Sequence, residues 1–244
     1  GCDEMDRRKR WGGVPDYVTM TGSRIESGRT WQDDPVRSFL VLLSILRIYP
    51  EWAKDHQAHG VQGDLFEKVV ERICPHLLPG WTTYRAGWSP DDTKNIPGIV
   101  AALCERIYTA GAADLNDWLL TAGNDGGLDL VCYREFPDQR EAAPMFFLQC
   151  ASGKNWRTKV DTPNPDLWQK LLNAAVRPST GIAAPFVVDP KELKTAALIG
   201  QIVVFDRLRL LSAAHAGALE LGDELSAEVI AWMQPRVDAL PRAD

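Results

Sequence analysis

Two strand-like apolar runs of this chain each carry polar groups at one end. The first run, GNDGGLDLV at 123–131, holds Asp129 among apolar neighbours, so a carboxylate lies in a segment that otherwise favours burial. The second run, FFLQCASGKNW at 146–156, has Gln149 at the end of its apolar stretch and Lys154 just after a Ser-Gly break. A buried charge is costly unless a partner compensates it. The pattern predicts that an acid, an amide and an ammonium converge.

Such a set suits the cleavage of phosphodiesters, which needs a bound cation, an oriented water and a counter-charge for the transition state. Magnesium prefers oxygen ligands and keeps several waters, and manganese is an alternative. Asp129 would supply a carboxylate oxygen, Gln149 an amide oxygen and Cys150 its backbone carbonyl. Lys154 would then lie beside the attacking water.

At these residues the chain resembles the PD-(D/E)xK nuclease superfamily, in its branch of Mrr-like restriction endonucleases. The pattern of that branch is roughly an acid after a Gly-Gly pair, followed by Gln-x-Lys. The resemblance covers about residues 62–210 and maps the core acid to Asp129 and the second-strand polar position to Gln149. One position departs, because Ala151 stands where the pattern has its lysine. Lys154 and Lys159 are the nearest replacements.

The resemblance implies a magnesium-dependent endodeoxyribonuclease that acts in restriction or antiviral defence. The missing lysine leaves a second interpretation open, a catalytically inactive nuclease-fold module that binds nucleic acid or scaffolds a defence complex. DNA is the expected partner and RNA stays open. Double-strand cleavage requires two centres, so a homodimer is one expected assembly. A defence-system partner protein is the alternative.

In the family, a helix before the first core strand often adds a glutamate, and GDLFEKVVERI at 63–73 resembles that helix. Successive helical side chains rotate by about 100°. Glu67 then falls just beyond the edge of the apolar arc, whereas Glu71 lies nearly opposite its centre. Glu67 is therefore predicted to hold the metal directly or through water. The alternative is that both glutamates solvate the helix and pair with Lys68 and Arg72.

The residues after the second run are predicted to contact nucleic acid. Arg157 and Lys159 can neutralise phosphates, and Trp156 either stacks on an unpaired base or, as we prefer, anchors the loop. The net charge of −6 does not indicate nucleic-acid binding and does not exclude it. Asp125 stands among turn formers and is predicted to cap its own turn.

Composition places other limits on the protein. The chain has 244 residues, of which 45% are hydrophobic and 25% charged, as in a protein with one large domain or one domain and an appendage. Its five cysteines are an odd number without CxxC spacing, which argues against a disulfide framework and a zinc cluster and favours the cytoplasm. The longest apolar run, at 39–46, is too short to span a bilayer, so no membrane role is expected.

The elements that must position these residues predict a three-layer α/β fold, a restriction-endonuclease-like core with a central mixed sheet. We divide the chain into an N-terminal arm and helix at 1–61, a core at 62–210 and a C-terminal helical extension at 211–244. The expected segments are an irregular arm to about residue 33, a helix from Asp34-Pro35 to Pro50, the glutamate helix at 62–78, strands at 81–87, 185–188 and 201–205, a helical insertion at 96–120, a helix at 166–175, and a helix at 224–237 interrupted near Pro235.

Overall fold

A five-stranded mixed sheet forms the centre of the computed structural model, which describes residues 18–21, 24–56, 58–86, 95–113, 127–153 and 155–241. A separate antiparallel pair, β1 (Val18–Thr21) and β2 (Arg24–Ser27), precedes it. The sheet comprises β3 (Thr82–Arg85), β4 (Leu130–Tyr133), β5 (Met145–Cys150), β6 (Ser179–Ala183) and β7 (Val203–Phe205) in that order. Strands β3, β4 and β5 are antiparallel neighbours, whereas β5, β6 and β7 run parallel.

Helices precede the sheet, connect some of its strands and follow its last strand. They are α1 (Pro35–Ile48), α2 (His59–Leu77), α3 (Ile96–Ile107), α4 (Pro165–Leu171), α5 (Pro190–Gly200), α6 (Arg207–Ala216) and α7 (Asp223–Asp238), with short 3₁₀ segments at Pro50–His56 and Trp156–Lys159. In the described part of the chain, none of the helices has the length and apolar character that a membrane crossing requires.

Both faces of the sheet are covered, because successive strand residues point to opposite sides. On one face, Leu130 and Leu148 belong to a hydrophobic cluster with residues of α1, α2, α6 and α7. On the other face, Val131 and Phe147 pack with residues of α3 and α4. The molecule is therefore an α/β protein with a mixed sheet between helical layers.

Local capping sets the start of α1 at the predicted position. Pro35 occupies the first turn, where its missing N–H costs nothing, and Asp34 accepts a hydrogen bond from the Arg37 amide at 3.1 Å. The helix then buries an apolar stripe on the core; the edge of the Trp232 ring on α7 lies against Phe39, with ring centroids 5.4 Å apart.

Three expected elements differ from the structure. The strand expected at 185–188 is wrong, because the strand is Ser179–Ala183 and residues 185–188 follow it as mostly buried non-strand chain. The helix expected to break near Pro235 runs unbroken from Asp223 to Asp238. Part of the arm that we expected to be irregular is the β1–β2 pair.

The insertion is described only in part. Helix α3 occupies its first half, as the periodicity predicts. The second half of the predicted insertion, with Leu115, Trp118 and Leu119, lies outside the described residues, as do residues 1–17.

Candidate functional site

Asp129 lies immediately before β4 and is only 5% exposed. Its Oδ2 accepts hydrogen bonds from Gln149 Nε2 and from the Cys150 amide, each at 2.5 Å. The antiparallel register of β4 and β5 explains this meeting, since Leu130 is opposite Leu148 and the next residues outward are Asp129 and Gln149. The structure thus brings together the acid and the amide of the two motif runs.

Gln149 is held at both ends of its amide group. While Nε2 donates to Asp129, Oε1 lies 3.3 Å from the hydroxyl oxygen of Thr162. Gly127 closes the other side, where an added Cβ would lie 2.9 Å from Thr162 Cβ and 3.0 Å from Gln149 Oε1. The second glycine of the Gly-Gly pair is therefore needed for space, and its φ of +71° also favours glycine.

Charged groups around the site shift the pKa of the buried Cys150 thiol. Burial raises the pKa of its thiol well above the usual range, and the carboxylates of Asp129 and Glu67 raise that pKa further. The ammonium of Lys159 acts on the same thiol in the opposite sense. The N–H and C=O of a strand residue point to the same side, so the Cys150 carbonyl shares the side from which its amide reaches Asp129.

Glu67 projects from the buried face of α2 and is 8% exposed. Its Oε2 lies 3.9 Å from Nη1 of Arg85, which also donates to Asp64 at 2.7 Å. Burial opposes the charge of Arg85, but Asp64, Glu67 and Glu71 outweigh it and raise the pKa of the guanidinium. Arg85 of β3, which no sequence pattern indicated, therefore lies within ion-pair distance of Asp64, Glu67 and Glu71.

The two glutamates of α2 differ as the helix geometry predicts. The Glu71 side chain is 34% exposed, against 10% for that of Glu67, and its Oε2 lies 3.8 Å from Arg85 Nε. Lys68 forms ion pairs with Asp64 at 3.1 Å and with Glu228 of α7 at 2.8 Å. Both glutamates thus lie close to Arg85, whereas the alternative interpretation pairs them with Lys68 and Arg72.

The loop after β5 carries the residues predicted to contact nucleic acid. Trp156 is 1% exposed and packs on Phe186, with ring centroids 5.9 Å apart, so it anchors the loop. Base stacking by Trp156 is corrected on this ground, because no exposed ring face is left for a base. Arg157 is exposed and forms an ion pair with Glu192 of α5.

Of the two candidate lysines, Lys159 belongs to the described residues and Lys154 lies outside them, as does Asp125. The backbone carbonyl of Lys159 lies 2.9 Å from the Thr162 hydroxyl, which is also beside the Gln149 amide. The chain segment of Lys159 is thereby fixed next to the site. Neither Thr162 nor its contact with Gln149 carries a signal in the sequence, because the contact depends on how the loop returns.

Ala151 is buried in an apolar cluster with Trp156, Ile182 and Ala184. A lysine at this position would place its stem and ammonium among these side chains, at the cost of burying a charge. The packing explains why the position holds a small apolar residue. Any catalytic lysine must enter the site from elsewhere in the chain.

The donors at the site suit a hard cation. Carboxylate, amide and backbone carbonyl oxygens are the ligands that magnesium takes, and Asp129, Gln149 and Cys150 carry one of each. The Gln149 amide must turn over to present its oxygen beside Asp129, because Nε2 donates to Asp129 and Oε1 faces Thr162. No group of three or more His, Cys, Asp and Glu side chains among the described residues is arranged as a metal cluster.

The chain was also compared with known proteins. No protein-family model, no curated protein and no solved structure matches it. We infer the chemistry of the site from its own residues.

Proposed function

We propose that this protein is a magnesium-dependent endodeoxyribonuclease of the PD-(D/E)xK type. The observation that supports it best is the contact of Asp129 Oδ2 with both the Gln149 side-chain amide and the Cys150 N–H, at the adjacent ends of β4 and β5. The order of elements agrees with it, since the glutamate helix precedes the first core strand, which pairs with the acid-bearing strand of a mixed sheet.

Asp129, Gln149 and the Cys150 carbonyl would hold the metal, with manganese as a substitute for magnesium. A bound magnesium ion supplies Lewis-acid polarisation of the phosphate and a more acidic water. Glu67 would contribute through a water, because Arg85 already stands 3.9 Å from its carboxylate. The hydroxyl of Thr162 donates or accepts, so it can steady either orientation of the Gln149 amide.

Lys159 is the described candidate for orienting the nucleophilic water and for offsetting charge in the transition state. Its backbone carbonyl lies 2.9 Å from the Thr162 hydroxyl, which also contacts the Gln149 amide, so the segment that carries Lys159 is held beside the site. Lys154 remains the second candidate, as proposed from the sequence. Arg157, which is exposed on the same loop, would bind a backbone phosphate in competition with Glu192.

Action on DNA and a role in restriction or antiviral defence follow from the resemblance, and a cytoplasmic setting follows from the cysteine usage. The four buried cysteines Cys74, Cys104, Cys132 and Cys150 are free thiols, as a reducing compartment would keep them. RNA is the alternative substrate, and the protein would act either as a homodimer or with a defence-system partner protein.

A supercoiled-plasmid nicking assay tests the proposal, with magnesium, manganese and EDTA as parallel conditions. Asp129→Asn should lower the nicking rate at least about 100-fold, since residues that merely support a metal ligand already cost about 10- to 100-fold. Asp138→Asn is the matched control, because Asp138 pairs with Arg140 on an exposed loop. Wild-type activity in Asp129→Asn, or no nicking under any of these conditions, would contradict the proposal.

Lysine variants separate the two candidates for the water-orienting role. Lys159→Met should abolish nicking if Lys159 acts there, while Lys154→Met should leave it near the wild-type rate. The reverse result would assign the role to Lys154. If both variants nick plasmid at the wild-type rate, neither Lys154 nor Lys159 acts in the reaction.

The second candidate function is a catalytically inactive nuclease-fold module that binds nucleic acid or scaffolds a defence complex. The observations that favour it are the buried Ala151 and the guanidinium of Arg85, which lies 3.9 Å from the Glu67 carboxylate and supplies a positive charge without a metal. This candidate predicts DNA binding that is unchanged by EDTA and by Asp129→Asn, together with an absence of nicking. Gel-shift and nicking assays on the same preparations distinguish the two functions.

A further inference from the structure

A cavity of about 330 Å³ opens beside the loop that leaves the candidate site. Its walls come from the end of α1, the 3₁₀ segment Pro50–His56, the beginning of α2, and Ser152 and Gly153. Ser152 follows Gln149 by three residues, and its hydroxyl accepts a hydrogen bond from Gln62 of α2 at 3.3 Å. The cavity therefore adjoins the site through the β5 loop and through α2, the helix that also carries Glu67.

The lining of this cavity is basic. Among its lining residues within the described part of the chain, Arg47, His56, His59 and Arg236 carry basic side chains, and none carries a carboxylate. Arg47 lies over the ring of Phe186, 3.8 Å from its centroid, which fixes the direction of the guanidinium. Such a lining favours an anion.

Arg236 forms the buried part of the lining. Only 5% of the residue is exposed, and burial lowers the pKa of its guanidinium, as expected for a charge removed from water. Two hydrogen bonds run from it to the backbone carbonyls of Trp232 and His56. A guanidinium has five N–H donors, so the group keeps donor capacity after these two contacts.

The N-terminus of α2 adds a further positive end. The helix begins at His59, and its N-cap residue is Ala58, whose methyl side chain cannot accept a hydrogen bond from the first-turn amides. The first turn also lacks an acidic residue. Ala58 and His59 both line the cavity, so the partial positive charge of a 19-residue helix faces the same space as Arg47 and Arg236.

We propose that this cavity binds the terminal phosphate of a nucleic-acid strand, an inference that rests on the proposed nuclease function. A terminal phosphate carries a second negative charge and can enter a pocket end-on, whereas an internal phosphodiester needs an exit for the chain on both sides. The buried guanidinium of Arg236 suits such an end group. Leu43, Leu46 and Pro50 supply apolar wall for the sugar that follows, and the volume is in the range of small-ligand sites.

Fluorescence anisotropy with short single-stranded oligonucleotides tests this assignment in EDTA, so that cleavage does not interfere. The probes share one sequence and an internal dye, and carry a 5′-phosphate, a 3′-phosphate or hydroxyls at both ends. One phosphorylated end should bind about tenfold or more tightly than the hydroxyl-ended probe, as expected for a charge-assisted contact. The comparison of the two phosphorylated probes identifies the end that enters.

Arg47→Gln should remove most of the preference for the phosphorylated end. It should also reduce the slope of log K against log salt concentration by about 0.7, which is the contribution of one phosphate contact on a single strand. Arg140→Gln is the matched control, because the Arg140 side chain is 83% exposed on another loop. Equal binding of all three probes, or an unchanged preference in Arg47→Gln, would overturn the assignment.

The outcome is separable from that of the nuclease proposal. A preference for the phosphorylated end that persists in Asp129→Asn supports the cavity whether or not the wild-type protein nicks plasmid. Nicking that depends on Asp129 but occurs without any end preference in binding supports the nuclease and overturns the cavity assignment. A circular dichroism melt of Arg47→Gln is needed beside the binding data, and a wild-type melting temperature makes a loss of preference specific to the cavity.

Discussion

Replacing Gly127 by alanine should disturb the candidate site more than its stability cost alone suggests. The added Cβ would lie 2.9 Å from Thr162 Cβ and 3.0 Å from Gln149 Oε1. The first of these atoms is rooted on the backbone and cannot swing away, and the second orients the amide that donates to Asp129. The substitution should therefore move Gln149 or Thr162.

The free-energy cost has two parts. An L-residue at the φ of +71° found at Gly127 costs about 1–2 kcal/mol of backbone strain. Crowding in a filled region adds about 1–3 kcal/mol. Gly80→Ala is the matched control: Gly80 has a φ of +79°, and an added Cβ there would have no atom of the described residues within 4 Å, so it should show the strain without the crowding.

Urea unfolding of both variants measures the difference, in which the effect of alanine on the unfolded chain cancels. We expect Gly127→Ala to lose about 1–3 kcal/mol more in the free energy of unfolding than Gly80→Ala. It should also lose nicking activity in the plasmid assay, whereas Gly80→Ala retains it. Equal losses of stability in the two variants would refute the close packing of Gly127 against Thr162 and Gln149.

Three further predictions concern stability. Burial, Asp129 and Glu67 raise the pKa of the Cys150 thiol, so this thiol keeps its proton in the folded state, whereas in the unfolded chain it ionises above about pH 8.5. The free energy of unfolding should therefore fall as the pH rises above that value. The fall should be less steep in Cys150→Ala. Trp156→Ala should cost about 3–5 kcal/mol in urea unfolding, and Arg157→Gln, at an exposed ion pair, less than about 1 kcal/mol; similar losses would contradict the anchoring role. Asp206→Ala should lower the melting temperature more than Asp189→Ala does. Buried Asp206 caps α6 and also accepts a hydrogen bond from the Val188 amide at 3.2 Å, whereas Asp189 is an exposed cap. Equal shifts in melting temperature would exclude the contact with Val188 as a source of stability.

Features that depend on neighbouring residues in the chain were predictable. The start of α1 follows from Asp34 and Pro35, whose capping chemistry acts within one turn. The greater burial of Glu67 over Glu71 follows from helical periodicity. Both signals lie within a few residues of the feature they determine.

Elements that depend on packing were not predictable in the same way. Strand β6 has the sequence STGIA, whose Ser and Gly do not favour a strand in isolation. The sequence pattern therefore predicts the strand in the more apolar run at 185–188. In the sheet, Gly181 allows the Phe146 ring to approach, since an added Cβ would lie 2.7 Å from that ring. Helix α7 likewise continues through Pro235, where burial of the apolar side chains of Val229, Trp232 and Met233 offsets the lost hydrogen bond.

The sequence by itself determined the acid and the amide of the candidate site, because two motif runs that pair as strands place Asp129 and Gln149 at adjacent strand ends. Only the tertiary structure decided what surrounds them. Arg85 beside Glu67 and the return of the Thr162 loop to Gln149 join residues whose separation in the chain carries no local pattern. Such contacts arise from the way helices and loops pack around a sheet, and that packing is a property of the whole chain.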